Sequence, residues 1–340
     1  MTPAARVAAA IEVLDRVLAQ DPPEVALTRW ARGSRYAGSG DRAAVRDLVF
    51  EALRCRRSYA ALAGAPDEAQ TGRDLMLGRV LAWADDPDAV FSGQGHAPAA
   101  LTGAERACIA GAPHYDDLPP AIRLDCPDWL AAPLQASLGD AFAPSLAAQR
   151  RRAPVTLRVN AARLTRDDAA AFLSDEGIGT VPHPLSDTAL TVTSGAPRIK
   201  TSAAYLDGLV ELQDAASQAA AALVPIRDGD RVLDYCAGGG GKTLALAARV
   251  PRARFFAHDA AAARMRDLPP RARRAGCQVT LLDGPATVRQ APFDLVVVDA
   301  PCSGSGTWAR NPQAKWDMTP DRLTMLCALQ STILSDAAPL

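Results

Sequence analysis

Paired cysteines, a long apolar run and an excess of positive charge are all missing from this sequence of 340 residues. Its seven cysteines form no Cys-x-x-Cys pair and lie far apart, which argues against a zinc site or a disulfide framework and favours a reduced, cytoplasmic protein. No apolar run approaches the roughly 18 residues of a membrane-spanning helix, and the charged N-terminus is unlike a signal peptide. The formal net charge of -1 argues against a polycation that coats nucleic acid indiscriminately.

Apolar residues recur at helical spacing through the first part of the chain. Val7, Ile11, Leu14 and Leu18 form one such series, and a second series follows at residues 45–53, for which residues 39–41 are expected to supply an N-cap. The pattern predicts an all-α domain over residues 1–125. A chain of this length also favours two or three domains over a single core.

The pattern changes near residue 154. Residues 155–160 (VTLRVN) and 189–193 (ALTVT) read as strands, and residues 165–177 read as a capped helix between them. This βαβ-like order predicts a small α/β module, which we place at residues 126–205. Arg158 and Asn160 on its first strand either contact RNA or are ordinary polar groups of a sheet surface.

Strands and helices alternate from residue 206 to residue 340. The predicted strands are 231–235, 253–259, 277–283 and 293–301, all nearly continuous in apolar residues. Such strands, separated by helices, predict a parallel, doubly wound α/β sheet that is covered on both faces.

A run of glycines lies between the first of these strands and the helix that follows, in VLDYCAGGGGKT (232–243). Cys236 stands where a phosphate-binding P-loop needs a glycine, and the third position of a dinucleotide fingerprint falls at Thr243 or Leu244. These two mismatches favour a nucleoside ligand without a polyphosphate. Free backbone N–H groups and close approach of the backbone are what such a loop offers.

Three acidic residues follow the ends of the next three predicted strands: Asp259, Asp283 and Asp299. The carboxyl ends of parallel strands share one edge of a sheet, and ligands bind there. Carboxylates suit ribose hydroxyls, an adenine amino group and a sulfonium charge. A single acid at such a position is usually a helix cap, but three of them beside a glycine loop favour a ligand site.

Three stretches together resemble one family: LQDAASQ (212–218), VLDYCAGGGGKT (232–243) and DAPCSGSGTWARNPQAKW (299–316). The sequence is similar to the RsmB/Sun/Nol family of S-adenosylmethionine-dependent RNA cytosine-5 methyltransferases, in its bacterial ribosomal RNA branch. The resemblance implies a Rossmann-like methyltransferase domain over 206–340. It also implies that residues 1–125 form a NusB-like RNA-binding domain.

The resemblance further implies that S-adenosylmethionine is the cofactor and that the partner is RNA, which in this branch is rRNA. It assigns cofactor binding to Cys236, Ala237, Gly238, Gly239, Gly240, Gly241, Lys242, Asp259, Asp283 and Asp299. Asp299 and Cys302 would be catalytic, with Cys302 assisting product release rather than attacking the base. Arg310 and Lys315, in WARNPQAKW, join Arg158 and Asn160 as candidate RNA contacts, and no metal is implied.

The attacking cysteine of this family lies in a Thr-Cys motif at the end of the fifth strand, and no Thr-Cys pair occurs in these 340 residues. Thiolate addition to cytosine C6 is what activates C5 toward methylation. The sequence therefore predicts a sheet truncated after about four strands, and either a fragment of a longer enzyme or a non-catalytic RNA-binding protein of ribosome assembly. Cys327 is expected to be a buried helical thiol, and a monomer is the default.

Two alternatives remain open at this point. A methyltransferase that acts on protein or a small molecule fits the glycine loop but leaves the Pro-Cys pair unexplained. The arginines of RMRDLPPRARRAG (264–276) either track RNA phosphates or form the solvated face of a helix.

Overall fold

The computed structural model describes residues 1–66 and 69–340, and these form two compact units. The first, here called the helical unit, contains Met1–Ala153 and Gly304–Arg322. The second, the sheet unit, contains Pro154–Ser303 and Leu323–Leu340. The chain thus leaves the sheet unit directly after Ser303, inside the motif that begins at Asp299, and returns to it at Leu323.

Helices build the helical unit, including residues 126–153, which the sequence pattern placed in a middle module. They are α1 (Pro3–Leu18), α2 (Pro23–Gly33), α3 (Ser39–Arg54), α4 (Arg56–Leu62), α5 (Gly72–Ala82), α6 (Pro87–Val90), α7 (Gly103–Gly111), α8 (Pro120–Arg123), α9 (Asp128–Leu138) and α10 (Phe142–Gln149). Short 3-10 helices lie at Tyr115–Asp117 and Gly139–Ala141. Within the described ranges, no helix is both long and apolar enough to cross a membrane.

The start of α3 differs from its prediction. Gly38 is the N-cap, and no side chain caps the helix. Ser39 and Asp41 lie inside the first turn instead, where the Asp41 carboxylate accepts hydrogen bonds from the Met1 amino group at 3.2 Å and from Arg6 Nε at 2.9 Å. The acidic side chain therefore ties α3 to the start of α1, and the predicted side-chain cap is wrong.

The segment 304–322 belongs to the helical unit and contains α17 (Gln313–Trp316) and a 3-10 turn at Ser305–Thr307. Trp308 is 3% exposed and packs in an apolar cluster with side chains of α9 and α10. Trp316 donates a hydrogen bond from Nε1 to the Leu53 carbonyl at 2.7 Å. Two tryptophans thus anchor the end of the motif in this unit.

The first sheet of the sheet unit is antiparallel, in the order β2-β3-β1-β4. Its strands are β1 (Thr156–Val159), β2 (Thr180–Pro182), β3 (Ala189–Val192) and β4 (Val210–Leu212), with α11 (Arg166–Asp175) and α12 (Ala203–Leu206) beside them and a 3-10 turn at Ala196–Thr201. The predicted β1, β3 and α11 are present. The βαβ-like order is corrected, because β1 and β3 pair antiparallel and the three-residue β2 and β4 had no recognised signal.

The second sheet is parallel, in the order β7-β6-β5-β8, as the alternation of strands and helices predicted. It contains β5 (Arg231–Asp234), β6 (Arg254–Ala257), β7 (Val279–Leu281) and β8 (Leu295–Val297). The helices are α13 (Ala215–Ala222), α14 (Gly241–Arg249), α15 (Leu268–Ala275), α16 (Gly284–Gln290) and α18 (Pro320–Ala337), and a 3-10 turn lies at Ala262–Met265. Because all four strands run in one direction, their carboxyl ends share one edge.

Candidate functional site at the glycine loop

The glycine loop joins β5 to α14 at the carboxyl edge of the parallel sheet. Gly238 and Gly240 have φ values of 49° and 78°, in the left-handed region that favours glycine. A Cβ at Gly240 would lie 2.1 Å from Leu268 Cδ1, a contact that no side chain tolerates. Glycine is therefore favoured at positions 238 and 240 by the backbone conformation, and at 240 by close packing as well.

Asp259 connects the end of β6 to this loop. Its carboxylate accepts hydrogen bonds from the backbone N–H of Gly238 at 3.0 Å and of Ala261 at 2.9 Å, and Arg264 lies 3.2 Å away. The Asp259 residue is 6% exposed. A buried carboxylate with these three partners fixes the loop and places a negative charge beside it.

Asp299 follows β8 and meets the loop through Lys242. Lys242 Nζ lies 2.6 Å from Asp299 Oδ2, and about half of the Asp299 side chain stays exposed. Two residues further on, the Pro301 carbonyl accepts a hydrogen bond from Gln330 of α18 at 2.7 Å. The Asp299–Cys302 segment is thus held both at the loop and at α18.

Asp234, the last residue of β5, is a site residue that the sequence analysis missed. It is 2% exposed, and its Oδ2 accepts a hydrogen bond from Thr243 Oγ1 at 2.6 Å. Its buried Oδ1 has no hydrogen-bond partner in the described part of the chain. Burial raises the pKa of Asp234, and the Asp299 charge adds to the effect while the Thr243 hydrogen bond opposes it. Its position at a strand end, directly before the loop, was the available signal.

The thiol of Cys236 lies within the electrostatic influence of three acidic side chains. Burial raises the pKa of its thiol, and the charges of Asp259, Asp234 and Asp299 raise it further. Three carboxylates from three neighbouring strands therefore act on one loop residue. Cys236 is accordingly a protonated thiol at neutral pH and contributes to the loop as packing rather than as a nucleophile.

Asp283 caps a helix in this structure, and its predicted role toward the ligand stays a prediction. Its Oδ1 accepts a hydrogen bond from the Ala286 N–H at 2.6 Å at the start of α16, and the residue is exposed. No contact described for the chain joins Asp283 to the glycine loop. Since β7 lies two strands from β5, the sheet order separates it from the other acids.

Two of the candidate RNA contacts, Arg158 and Asn160, are buried at 5% and 7% exposure. Arg158 donates hydrogen bonds to Gln213 Oε1 at 2.5 Å and to the Gly241 carbonyl at 2.8 Å. Asn160 donates to the carbonyls of Gly208 at 3.0 Å and Ala275 at 2.9 Å. The prediction that they face RNA is corrected, because both side chains are engaged inside the sheet unit.

The other two candidate RNA contacts, Lys315 and Arg310, differ in burial. Lys315 is 2% exposed, beside the Trp316 ring at 4.5 Å, and burial lowers its pKa while the Asp125 charge partly offsets this. The predicted RNA contact at Lys315 is therefore corrected to a core position of the helical unit. Arg310 is exposed and stays a candidate.

The arginine-rich segment 264–276 is largely engaged within the protein. Arg264 pairs with Asp259, and both Arg271 and Arg274 pair with Glu211, at 3.2 Å and 2.8 Å. Arg273 is exposed. Most of this charge therefore supports the fold around the loop rather than forming an open basic face.

The cysteines of the motif and of α18 are both accessible. Cys302, after β8, is exposed, as a residue that meets a substrate must be. Cys327 lies in the predicted helix but is exposed, so its expected burial is wrong. Apolar side chains of α18 are exposed as well, among them Met325 at 71% and Leu334 at 61%.

Two parts of the chain match known families, and one match begins at residue 126, where the predicted middle module begins, rather than at the unit boundary after Ala153. Residues 220–340 match the family model described as 16S rRNA methyltransferase RsmB/F, and residues 126–198 match a model for the ferredoxin-like domain of RsmF/B-like methyltransferases. Ribosomal RNA small subunit methyltransferase B of Citrobacter koseri is 32% identical over 218 residues, which are 63% of this chain and 51% of that protein. The same values hold for the protein of that name from Salmonella arizonae. The chain thus spans about half the length of these curated relatives.

Solved structures share the fold. PH0851 has a TM-score of 0.70 at 21% identity, covering 100% of this chain and 84% of that one. NSun6 from Pyrococcus horikoshii, solved with SFG, has a TM-score of 0.53 at 15% identity, covering 62% and 79%.

Proposed function

Because the chain belongs to the RsmB/F family of rRNA methyltransferases, we propose that it binds S-adenosylmethionine at the glycine loop and serves methylation of cytosine C5 in ribosomal RNA. The observation that carries the proposal is the convergence of Asp234, Asp259 and Asp299 on the loop. An rRNA substrate would place the protein in the cytoplasm. The helical unit, the counterpart of the expected NusB-like domain, would contribute RNA binding.

The residues present fit this cofactor. The loop offers a backbone without side chains at 238–241, and the buried Oδ1 of Asp234 has no partner among the described residues. Asp259 sits at the strand end where carboxylates suit ribose hydroxyls, and SFG in the neighbouring structure supports a cofactor of the S-adenosylmethionine type. When bound, S-adenosylmethionine supplies an electrophilic methyl group on a cationic sulfur.

On the substrate side, Asp299 and Cys302 lie on one exposed segment. Lys242 holds one oxygen of Asp299 and leaves the rest of the carboxylate exposed, so it can accept a hydrogen bond from a cytosine amino group. Cys302 presents its thiol to solvent three residues later. By family resemblance Cys302 assists release of the methylated base, and the family's Thr-Cys motif with the attacking thiolate does not occur in these 340 residues.

Cofactor binding by the purified chain tests the proposal directly. Titration calorimetry with S-adenosylmethionine should give saturable binding, weakened about tenfold or more by Asp259→Asn, which keeps the hydrogen-bond acceptor but removes the charge. Asp228→Asn is the matched control, since Asp228 is a surface acid paired with Arg252. Binding that is absent, or that falls equally in both variants, would contradict the proposed site.

Methyl transfer tests the reaction separately. The chain is supplied with a Thr-Cys segment and incubated with unmodified 16S rRNA and labelled cofactor. Nucleoside mass spectrometry should then detect 5-methylcytidine. A different methylated nucleoside would overturn the cytosine C5 assignment. Cofactor binding without any methyl transfer would favour the non-catalytic RNA-binding alternative.

A further inference from the structure

The carbonyls of the glycine loop are engaged by two arginines that come from elsewhere in the sheet unit. Arg271 of α15 donates a hydrogen bond to the Gly239 carbonyl. Arg158 of β1 donates to the Gly241 carbonyl at 2.8 Å. The loop N–H of Gly238 is held by Asp259, so side chains from three separate elements fix this short backbone segment.

Glu211 of β4 orients the first of these arginines. Its carboxylate accepts hydrogen bonds from Arg271 Nε at 3.2 Å and from Arg274 NH2 at 2.8 Å and 3.0 Å. Glu211 is 8% exposed and is the cross-strand partner of Arg158 in the antiparallel sheet. A buried carboxylate shared by two guanidinium groups fixes their geometry more firmly than a solvent-exposed pair would.

Arg158 is held through Nη1 alone, since its buried Nε has no hydrogen-bond partner among the described residues. Burial lowers its pKa to about 10, so the guanidinium stays charged at neutral pH. Within the described residues no carboxylate lies within 4.0 Å of it, and its hydrogen bonds go to Gln213 and Gly241. A buried charge of this kind is costly unless its donors form hydrogen bonds. The hydrogen bond to the Gly241 carbonyl therefore offsets part of the cost of burying the guanidinium.

The loop sequence makes room for this arrangement. A Cβ at Gly239 would lie 3.0 Å from Arg271 NH1, and one at Gly241 would lie 3.4 Å from Gln213 Nε2. The family often has proline at the position of Gly239. Glycine here leaves the space in which the Arg271 guanidinium reaches the backbone.

We propose that Arg158, Arg271 and Glu211 are positioning residues that preorganise the glycine loop for the cofactor. A trans peptide directs its carbonyl and the following N–H to opposite sides. Arg158 on the Gly241 carbonyl therefore sets the direction of the Lys242 N–H. Arg271 on the Gly239 carbonyl fixes the same peptide whose Gly240 N–H donates to the Ala237 carbonyl at 2.8 Å, and so supports the turn of the loop. The antiparallel sheet thus helps to determine cofactor affinity without touching the cofactor. This inference rests on the proposed function.

The test combines cofactor affinity with amide hydrogen exchange of the 236–242 peptide in the 340-residue chain. Glu211→Gln and Arg271→Ala should each weaken S-adenosylmethionine binding about 5- to 20-fold and speed exchange in that peptide. Exchange in the β1 peptide should not change, which separates a loosened loop from general unfolding. Arg271→Lys should recover part of the affinity, because an ammonium group can donate to Gly239 but cannot reproduce the guanidinium fork.

Arg273→Ala is the matched control, since Arg273 lies on the same helix and is exposed. It should change neither readout. Unchanged cofactor affinity and unchanged loop exchange in Glu211→Gln and Arg271→Ala would overturn the proposal. If the unsubstituted chain binds no cofactor, the proposed function fails, and the exchange of the 236–242 peptide alone then decides whether these residues hold the loop.

Discussion

Lys242 Nζ lies 2.6 Å from Asp299 Oδ2, which links the first turn of α14 to the segment that follows β8. A cation in the first turn of a helix is unfavourable beside the positive end of the helix dipole, and the carboxylate offsets this. The pair also joins the two motifs that carry the family resemblance, the glycine loop and the Asp-Ala-Pro-Cys segment. This contact is therefore where the proposed cofactor loop and the proposed substrate segment meet.

We expect Lys242→Met and Asp299→Asn each to weaken S-adenosylmethionine binding, and the double variant to weaken it by less than the sum. Since both side chains are partly exposed, a coupling free energy of about 0.5–1 kcal/mol is expected, smaller at high salt. Calorimetric titration of the four proteins measures it. Arg252→Met, which disrupts an open surface pair with Asp228, should leave affinity unchanged. Strictly additive effects would show that the Lys242–Asp299 contact does not form.

Substitution of two neighbouring glycines by alanine should change the free energy of unfolding by different amounts. Gly240→Ala should lower the free energy of unfolding by at least about 2 kcal/mol, because φ is 78° and the new Cβ would meet Leu268 Cδ1 at 2.1 Å. Gly241→Ala should cost well under half as much, since its Cβ would meet only Gln213 Nε2 at 3.4 Å. Urea denaturation of both variants provides the comparison. Equal destabilisation would contradict the described loop conformation.

Lys315 should give the helical unit a recognisable pH dependence. Burial puts its folded-state pKa below the ordinary 10.5, so the unfolded chain binds more protons between these two values. The free energy of unfolding therefore rises with pH across that window. We expect the difference between the unsubstituted protein and Lys315→Met to increase as the pH approaches 10.5. Lys200→Met, at an exposed lysine, should differ from the unsubstituted protein in free energy of unfolding by an amount that does not depend on pH. A pH-independent difference for Lys315→Met would refute the burial of Lys315.

RNA binding should distinguish Arg310 from Lys315. If RNA is the substrate, Arg310→Ala should reduce the slope of log affinity against log salt concentration by about one, as loss of one phosphate contact does. Lys315→Met should leave that slope unchanged, because the buried ammonium group reaches no phosphate. Filter binding to an rRNA fragment at several salt concentrations measures both. A reduced slope for Lys315→Met would restore the original sequence interpretation.

Local patterns in the sequence determined the parallel sheet and the glycine loop. The strands β5 to β8 lie within their predicted ranges, because continuous apolar runs between helices carry a strong local signal. The acids Asp259 and Asp299 also follow the strand ends as expected. The strands β2 and β4 were not predicted, since neither has a long apolar run, and β4 pairs with β1, which is distant in sequence.

Only the tertiary structure decided what individual charged residues do. Asp259 and Asp283 occupy equivalent places after their strands, yet one holds the glycine loop and the other caps α16, because the strand order puts β6 beside β5 and β7 beyond it. Arg158 and Lys315 read as candidates for RNA until burial showed them inside the two units. The sequence alone shows which charged residues are present and how they are spaced. Their burial and their partners depend on contacts between residues far apart in the chain, such as Arg271 with Gly239, and those contacts exist only once the chain has folded.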